Sequence, residues 1–164
     1  MMNESMKKQR IVICGSMAFY NDMVQQSRML KKEGIDTVIP ESDDPFLLSI
    51  SEESFQDVKL NASMRHLRKI RDHEKTYGIL VINKDKHGIR DYIGPNTFAE
   101  IAVALAHYKK IYLFQGMPAF YQDELRAWNV ICLDNDISKL VNAYKKDMGN
   151  WIEEQQLELF DGLF

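Results

Sequence analysis

The stretch "RIVICG", Arg10–Gly15, decides the fold, because it is a short run rich in β-branched residues that a glycine ends. Continuous apolar runs of this length are typical of strands buried on both faces of a parallel sheet. Apolar or small side chains then recur at helical intervals from Tyr20 to Leu30, and Gly34 is a natural stop. The stretch therefore predicts a strand followed by a helix, the unit from which α/β sheets are built.

Four further strand-like runs alternate with helical patterns along the rest of the chain. The strand-like runs are "IDTVIP" (35–40), "GILVIN" (78–83), "KKIYLFQG" (109–116) and "VICLD" (130–134). The helical patterns cover 58–77, about 97–106, 118–129, 137–147 and 150–159. This alternation predicts a doubly wound α/β sandwich, flavodoxin-like or Rossmann-like, with a five-stranded parallel sheet. We expect one domain over 1–148 and a helical, apolar C-terminal tail over 149–164.

The stretch "ESDDPFLLSISEESFQ" (41–56) is acidic, serine-rich and aperiodic. We expect it to form a long loop. Loops of that length in a compact domain are usually functional lids or partly disordered.

Composition excludes several classes of function. The chain of 164 residues is 45% hydrophobic and 27% charged, as in an ordinary globular domain, and its net charge of −3 gives no global attraction to nucleic acid or anionic membranes. The apolar runs are too short to span a bilayer, and the first residues lack the apolar region of a signal peptide. Cys14 and Cys132 lie in strand-like runs without the spacing of a disulfide framework. We expect a cytoplasmic protein without membrane contact.

Ligands of open α/β sheets bind beyond the carboxyl ends of the strands, so the loop after the first strand is one candidate for the site. Gly15 and Ser16 let backbone amides approach a ligand there, Met17 follows them, and Tyr20 offers a stacking surface. A glycine that merely turns the chain is the alternative. The loop lacks the further glycines of a dinucleotide fingerprint and the Gly-Lys-Ser/Thr of a P-loop, which disfavours nicotinamide and ATP chemistry.

The second candidate loop follows "GILVIN" and ends in the stretch from Tyr92 to Thr97. Gly94, Asn96 and Thr97 stand at a predicted helix start, where free amides and the helix dipole favour a phosphate or carboxylate. Glu100 has two interpretations here. With Thr97 as N-cap, Glu100 closes a capping box, and with Asn96 as N-cap its carboxylate is free.

The motifs "IVICGSM", "GILVINK" and "YIGPNTFAEIAVALAHYKKIYL" resemble those of the nucleoside 2-deoxyribosyltransferase-like superfamily, which includes 2′-deoxynucleoside 5′-phosphate N-hydrolases. The similarity spans about 11–140. It implies that Glu100 is a nucleophile that attacks C1′ of a (deoxy)ribosyl group, displaces the base and forms a glycosyl ester. The glycosyl group is then transferred from Glu100 to another base or to water. It also implies a sugar-side turn at Gly15 and Ser16 and a 5′-phosphate site at Gly94, Asn96 and Thr97. The implied substrates are nucleosides or their 5′-monophosphates, with no cofactor.

The chain departs from the family pattern at the residues that handle the leaving base. Asp91 is the candidate for an acidic residue that the transferases carry just before the glycine loop, but its spacing differs. The transferases also carry an aspartate near the helix before the third strand, where it handles the leaving base. His66 and Asp72 are the candidates for this role, and neither matches cleanly. The general acid that a departing base needs is therefore unassigned. Tyr20 or Tyr92 could orient Glu100. The alternative function is a non-catalytic nucleotide-binding or sensor module of the same fold.

Two further features bear on metals and partners. His66 and His73 lie seven positions apart on one predicted helix, and without a third ligand at helical spacing we expect no metal site.

The tail peptide Gln156–Phe160 resembles the motif by which bacterial replication proteins dock on the sliding clamp. We expect instead that its apolar side chains pack on the body or across a homodimer. The resemblance to the nucleoside 2-deoxyribosyltransferase-like superfamily implies a dimer or larger oligomer.

Overall fold

The structure is a computed structural model that describes residues 8–41 and 51–162. Five strands, one 3₁₀ turn (Met17–Phe19) and five helices follow one another in it. In chain order the strands and helices are β1 (Arg10–Gly15), α1 (Tyr20–Lys32), β2 (Thr37–Val38), α2 (Glu52–Arg71), β3 (Thr76–Ile82), α3 (Pro95–Ala106), β4 (Lys110–Leu113), α4 (Gln122–Ala127), β5 (Ile131–Cys132) and α5 (Ile137–Asp161).

The strands form one parallel sheet in the order β2-β1-β3-β4-β5. The order reverses between β1 and β3, where Gly15 is the register partner of Ile82 at the carboxyl ends of the two strands. This is the switch point at which open α/β sheets bind ligands. The predicted doubly wound α/β fold with a five-stranded parallel sheet is confirmed.

Alternate residues of the central strands pack into two cores, one on each face of the sheet. Ile11 and Ile13 face the core built with α1 and α5, whereas Val12 and Cys14 face the core built with α2, α3 and α4. All four side chains are fully buried. The alternation places Cys14, the last such residue before the glycine, on the same face as α2 and α3.

Helix α2 begins and ends earlier than the pattern over 58–77 predicted. The Ser51 hydroxyl accepts a hydrogen bond from the Ser54 amide (3.2 Å) and caps the start. At the other end the Asp72 carboxylate accepts hydrogen bonds from the amides of Glu74 and Lys75, which ends the helix and frees 76–77 for β3. The predicted loop over 41–56 is therefore wrong for 52–56, and 42–50 lie outside the described residues.

The N-terminal half of α2 packs little on the body. Leu60 and Met64 are 61% and 40% exposed, whereas Ile70 is fully buried. Only the C-terminal half of the helix lies against the sheet, because the N-terminal half extends past the carboxyl ends of the strands, where it borders a cavity.

Helix α5 is one continuous helix, whereas the sequence predicted two separated near Gly149. A glycine costs a helix only about 1 kcal/mol, which flanking helix formers offset. Trp151, Leu157 and Phe160 are 43%, 63% and 65% exposed, so these side chains do not pack closely on the body of the protein. Packing across a dimer and docking of Gln156–Phe160 on a sliding clamp stay predictions.

Among the helices in the described part of the chain, none has the length and apolar character needed to cross a bilayer.

Candidate active site

A cavity of about 720 Å³ opens beyond the carboxyl ends of β1 and β3, between α2 and the start of α3. Nine residues that the sequence analysis singled out line it together. They are Gly15, Ser16, Met17, His66, Tyr92, Gly94, Asn96, Thr97 and Glu100. The sequence analysis missed the opposite wall, which comes from Pro40, Glu41 and the exposed half of α2. No local pattern marks those residues, since their position depends on how α2 crosses the sheet.

Three other candidates lie away from the cavity lining. Tyr20 begins α1 and does not line the cavity. Asp91 is buried, and its carboxylate accepts hydrogen bonds from the Gln115 side chain (2.8 Å) and the Gly116 amide (3.0 Å). It thereby holds the β3–α3 loop against the end of β4. Asp72 lies near Arg10, at the amino-end edge of the sheet, so it cannot assist a leaving base in the cavity.

The start of α3 decides where the Glu100 carboxyl points. Gly94 is the N-cap residue and Pro95 the first helical residue. Proline suits this position because the first N–H of a helix has no acceptor within the helix, so proline, which lacks the N–H, loses no hydrogen bond. Thr97 is therefore the third and Glu100 the sixth residue of the helix. Both capping interpretations placed the start too late, and Glu100 does not close a capping box. Its carboxyl is free to contact groups across the cavity.

The Glu100 carboxyl meets two side chains from other elements. Its Oε1 lies 3.6 Å from His66 Nε2, and the same nitrogen lies 3.6 Å from Cys14 Sγ. Helix α3, helix α2 and strand β1 each contribute one of the three. Cys14 has the sequence pattern of a core residue, and that pattern does not reveal its contact with His66.

Burial sets the protonation of this cluster. Burial raises the pKa of Glu100 to about 7, and the hydrogen bond with Cys14 acts in the opposite direction. Burial lowers the pKa of His66 to about 4. Burial, and next the nearby Glu100 carboxylate, raise the pKa of the Cys14 thiol well above its usual range. Near neutral pH the imidazole is neutral and the thiol protonated, and Glu100 is divided between its two forms. The His66–Glu100 contact is therefore not an ion pair at that pH.

A cation adjoins the rim of the cavity near the start of α3. Lys86 Nζ donates a hydrogen bond to Ser16 Oγ (2.8 Å) and lies 5.1 Å from the centroid of the Tyr92 ring. Gly15 leaves room for this turn: its φ is +151°, and a Cβ there would lie 2.8 Å from the Ile82 carbonyl oxygen. Lys86 was not predicted, since it and Ser16 are 70 positions apart.

Fold and site together define an α/β protein with a carboxyl-bearing cavity at the switch point of its parallel sheet. No protein-family model matches the chain, and no curated protein matches it. The resemblance to the nucleoside 2-deoxyribosyltransferase-like superfamily rests on the sequence motifs quoted above.

Proposed function

We propose that the protein cleaves or transfers the N-glycosidic bond of (deoxy)nucleosides or their 5′-monophosphates, with Glu100 as the nucleophile. The observation that carries this proposal is the free carboxyl of Glu100 in the wall of the cavity, close to the start of α3. A cavity of about 720 Å³ lies within the range of about 300–1,000 Å³ typical of small-molecule sites.

The chemistry proceeds in two displacements at C1′. In the first, the ionised Glu100 carboxylate forms a bond to C1′ while the bond from C1′ to the base nitrogen breaks, and that electron pair leaves with the base. In the second, water or an acceptor base attacks C1′ and Glu100 leaves as a carboxylate. His66 is neutral near pH 7 and contacts Glu100 directly, so we assign it to positioning the carboxyl. The donor of a proton to the departing base is unassigned.

In this proposal a 5′-phosphate binds in the same cavity, at the start of α3. Gly94 gives α3 no side-chain cap, so the first amides of the helix are available to an anion, and the dipole favours one there. Ser16 lines the same cavity and Lys86 hydrogen-bonds to it, so this pair offers a charge-assisted hydrogen bond to the phosphate. These contacts favour nucleoside 5′-monophosphates over nucleosides.

Base release measured by chromatography tests the proposal. The panel comprises ribo- and deoxyribonucleosides and their 5′-monophosphates, each with and without an acceptor base, in the presence of a chelator. Release from at least one substrate is the expected result, and dependence on the acceptor separates transferase from hydrolase. Nucleotide-dependent thermal stabilisation without release from any substrate would reject catalysis and support the non-catalytic binding module.

Substitution of Lys86 by methionine is expected to raise KM for the 5′-monophosphate roughly 10-fold, the magnitude of one hydrogen bond to a charged group, with little change for the nucleoside. Lys84→Met is the matched control, because the Lys84 ammonium pairs with Asp22 (3.0 Å) instead of adjoining Ser16. Equal effects of Lys86→Met on both substrates would show that the ammonium does not recognise the phosphate.

The proposal includes a homodimer or larger oligomer. The exposed apolar side chains of α5, among them Trp151 and Phe160, and the exposed Leu60 of α2 support it.

A further inference from the structure

Cys14, His66 and Glu100 bring three metal-ligand atoms together at the wall of the cavity. The thiol sulfur, the imidazole nitrogen and a carboxylate oxygen all lie within 4.8 Å of one another. We propose that this cluster is a Zn²⁺ site, with Cys14 Sγ, His66 Nε2 and a Glu100 carboxylate oxygen as its protein ligands.

The spacing of the ligand atoms matches a tetrahedral zinc ion. With Zn–S of about 2.3 Å and Zn–N of about 2.0–2.1 Å, tetrahedral angles place sulfur and nitrogen about 3.6 Å apart, and nitrogen and oxygen about 3.3 Å apart. The observed distances are 3.6 Å from Cys14 Sγ to His66 Nε2 and 3.6 Å from that nitrogen to Glu100 Oε1. Two of the three pairs of ligand atoms therefore already have nearly the separation that a tetrahedral ion requires, and the third pair lies within 4.8 Å.

The types of ligand select the metal. A thiolate and an imidazole suit Zn²⁺, whereas Mg²⁺ and Ca²⁺ prefer sites made of oxygen ligands alone. Cys14 and His66 are buried, and Glu100 and His66 both line the cavity. The fourth position of the ion therefore faces the cavity and is open to water or to a ligand. Three protein ligands with one open position is the arrangement of catalytic zinc sites rather than structural ones.

Zinc binding changes the chemistry of the cavity. The ion displaces the proton of the Cys14 thiol, and that of the Glu100 carboxyl where it is protonated, and both protons pass to solvent. A Glu100 oxygen that coordinates zinc cannot attack C1′, so the zinc-bound protein is expected not to release base. That consequence rests on the proposed function, whereas the zinc site itself does not.

Titration of the chelator-treated chain of 164 residues with Zn²⁺ and with Co²⁺ tests the inference. Calorimetry is expected to show one equivalent of Zn²⁺, and the Co²⁺ complex is expected to show tetrahedral visible bands with a thiolate charge-transfer band. Cys14→Ser and Glu100→Gln are each expected to weaken zinc binding by at least about 10–100-fold, the cost of losing even an outer-shell partner. Cys14→Ser is also expected to abolish the charge-transfer band.

Cys132→Ser is the matched control, since Cys132 lies on the edge strand β5, outside the cluster. Glu100→Gln keeps the test valid if serine at the buried position 14 impairs folding, because the Glu100 side chain is one-fifth exposed. Absence of zinc binding, or binding that Glu100→Gln leaves unchanged and Cys132→Ser weakens, would overturn the inference. Base release without zinc binding would reject the zinc site alone, and zinc binding without base release would reject the proposed function alone.

Discussion

Substitution of Glu100 by glutamine is expected to lower base release on the order of 10⁴-fold, the magnitude seen when a catalytic residue is removed. Glutamine keeps the size and shape of the side chain, but its neutral amide cannot form the glycosyl ester at C1′. The rate of base release under single-turnover conditions, in the presence of a chelator, measures the effect. Activity within tenfold of wild type would show that Glu100 is not the nucleophile.

Two comparisons separate chemistry from stability in that experiment. Glu41→Gln is the matched control, because Glu41 also lines the cavity but pairs with Arg65 (2.7 Å), and it is expected to keep its activity. The free energy of unfolding is the second comparison. Loss of a capping carboxylate would cost about 0.5–2 kcal/mol. Because Glu100 caps nothing and is disfavoured by burial when ionised, Glu100→Gln is expected to be at least as stable as wild type at pH 8.

Base release is also expected to depend strongly on pH. In the proposed mechanism the nucleophile is the ionised carboxylate of Glu100, and burial raises the pKa of this group to about 7. The rate should therefore rise about tenfold per pH unit below that value and level off above it, so that pH 5 gives about 1% of the plateau rate. Single-turnover rates of the chelated protein between pH 5 and 9 measure the profile. A plateau that already begins near pH 4.5 would show an unperturbed carboxyl.

The contribution of Glu100 to the stability of the folded protein changes with pH in the direction opposite to the rate of base release. A carboxyl whose pKa is raised in the folded state binds its proton more tightly there than in the unfolded chain. The contribution of Glu100 to stability is therefore fully present below its ordinary pKa of 4.5 and is lost as pH rises to about 7. The proposed catalysis thus requires the ionised form of Glu100, which the folded state favours less than the protonated form, and such a perturbed carboxyl is typical of functional sites.

The sequence predicts the fold well because its signals are local and redundant. The apolar runs of the central strands β1 and β3 have no solvent-facing side, as is typical of a parallel sheet covered on both faces. The position of the site follows from that topology, since the loops after β1 and β3 meet at the switch point. The sequence therefore predicts that glycines and helix-start residues of those loops lie together, and in the structure they line one cavity.

The parts that the sequence analysis missed depend on contacts distant along the chain. Cys14 has the pattern of a core residue, and only the approach of α2 and α3 brings it to His66 and Glu100. Lys86 contacts Ser16 across 70 positions. The start of α3 was placed too late because Thr97 resembles a cap, although Pro95 at the first helical position was the better signal. Side chains that converge from three elements leave no spacing pattern in the sequence.

The mass of the protein during turnover tests the central claim most directly. Wild type and Glu100→Gln, both treated with a chelator, are mixed with the substrate that the panel identifies, quenched in acid and measured intact and after proteolysis. The account predicts that wild type gains the mass of one (deoxy)ribosyl group, on the peptide that contains Glu100, and that the variant gains none. Base release by both proteins at the same rate, with unmodified masses, would contradict it.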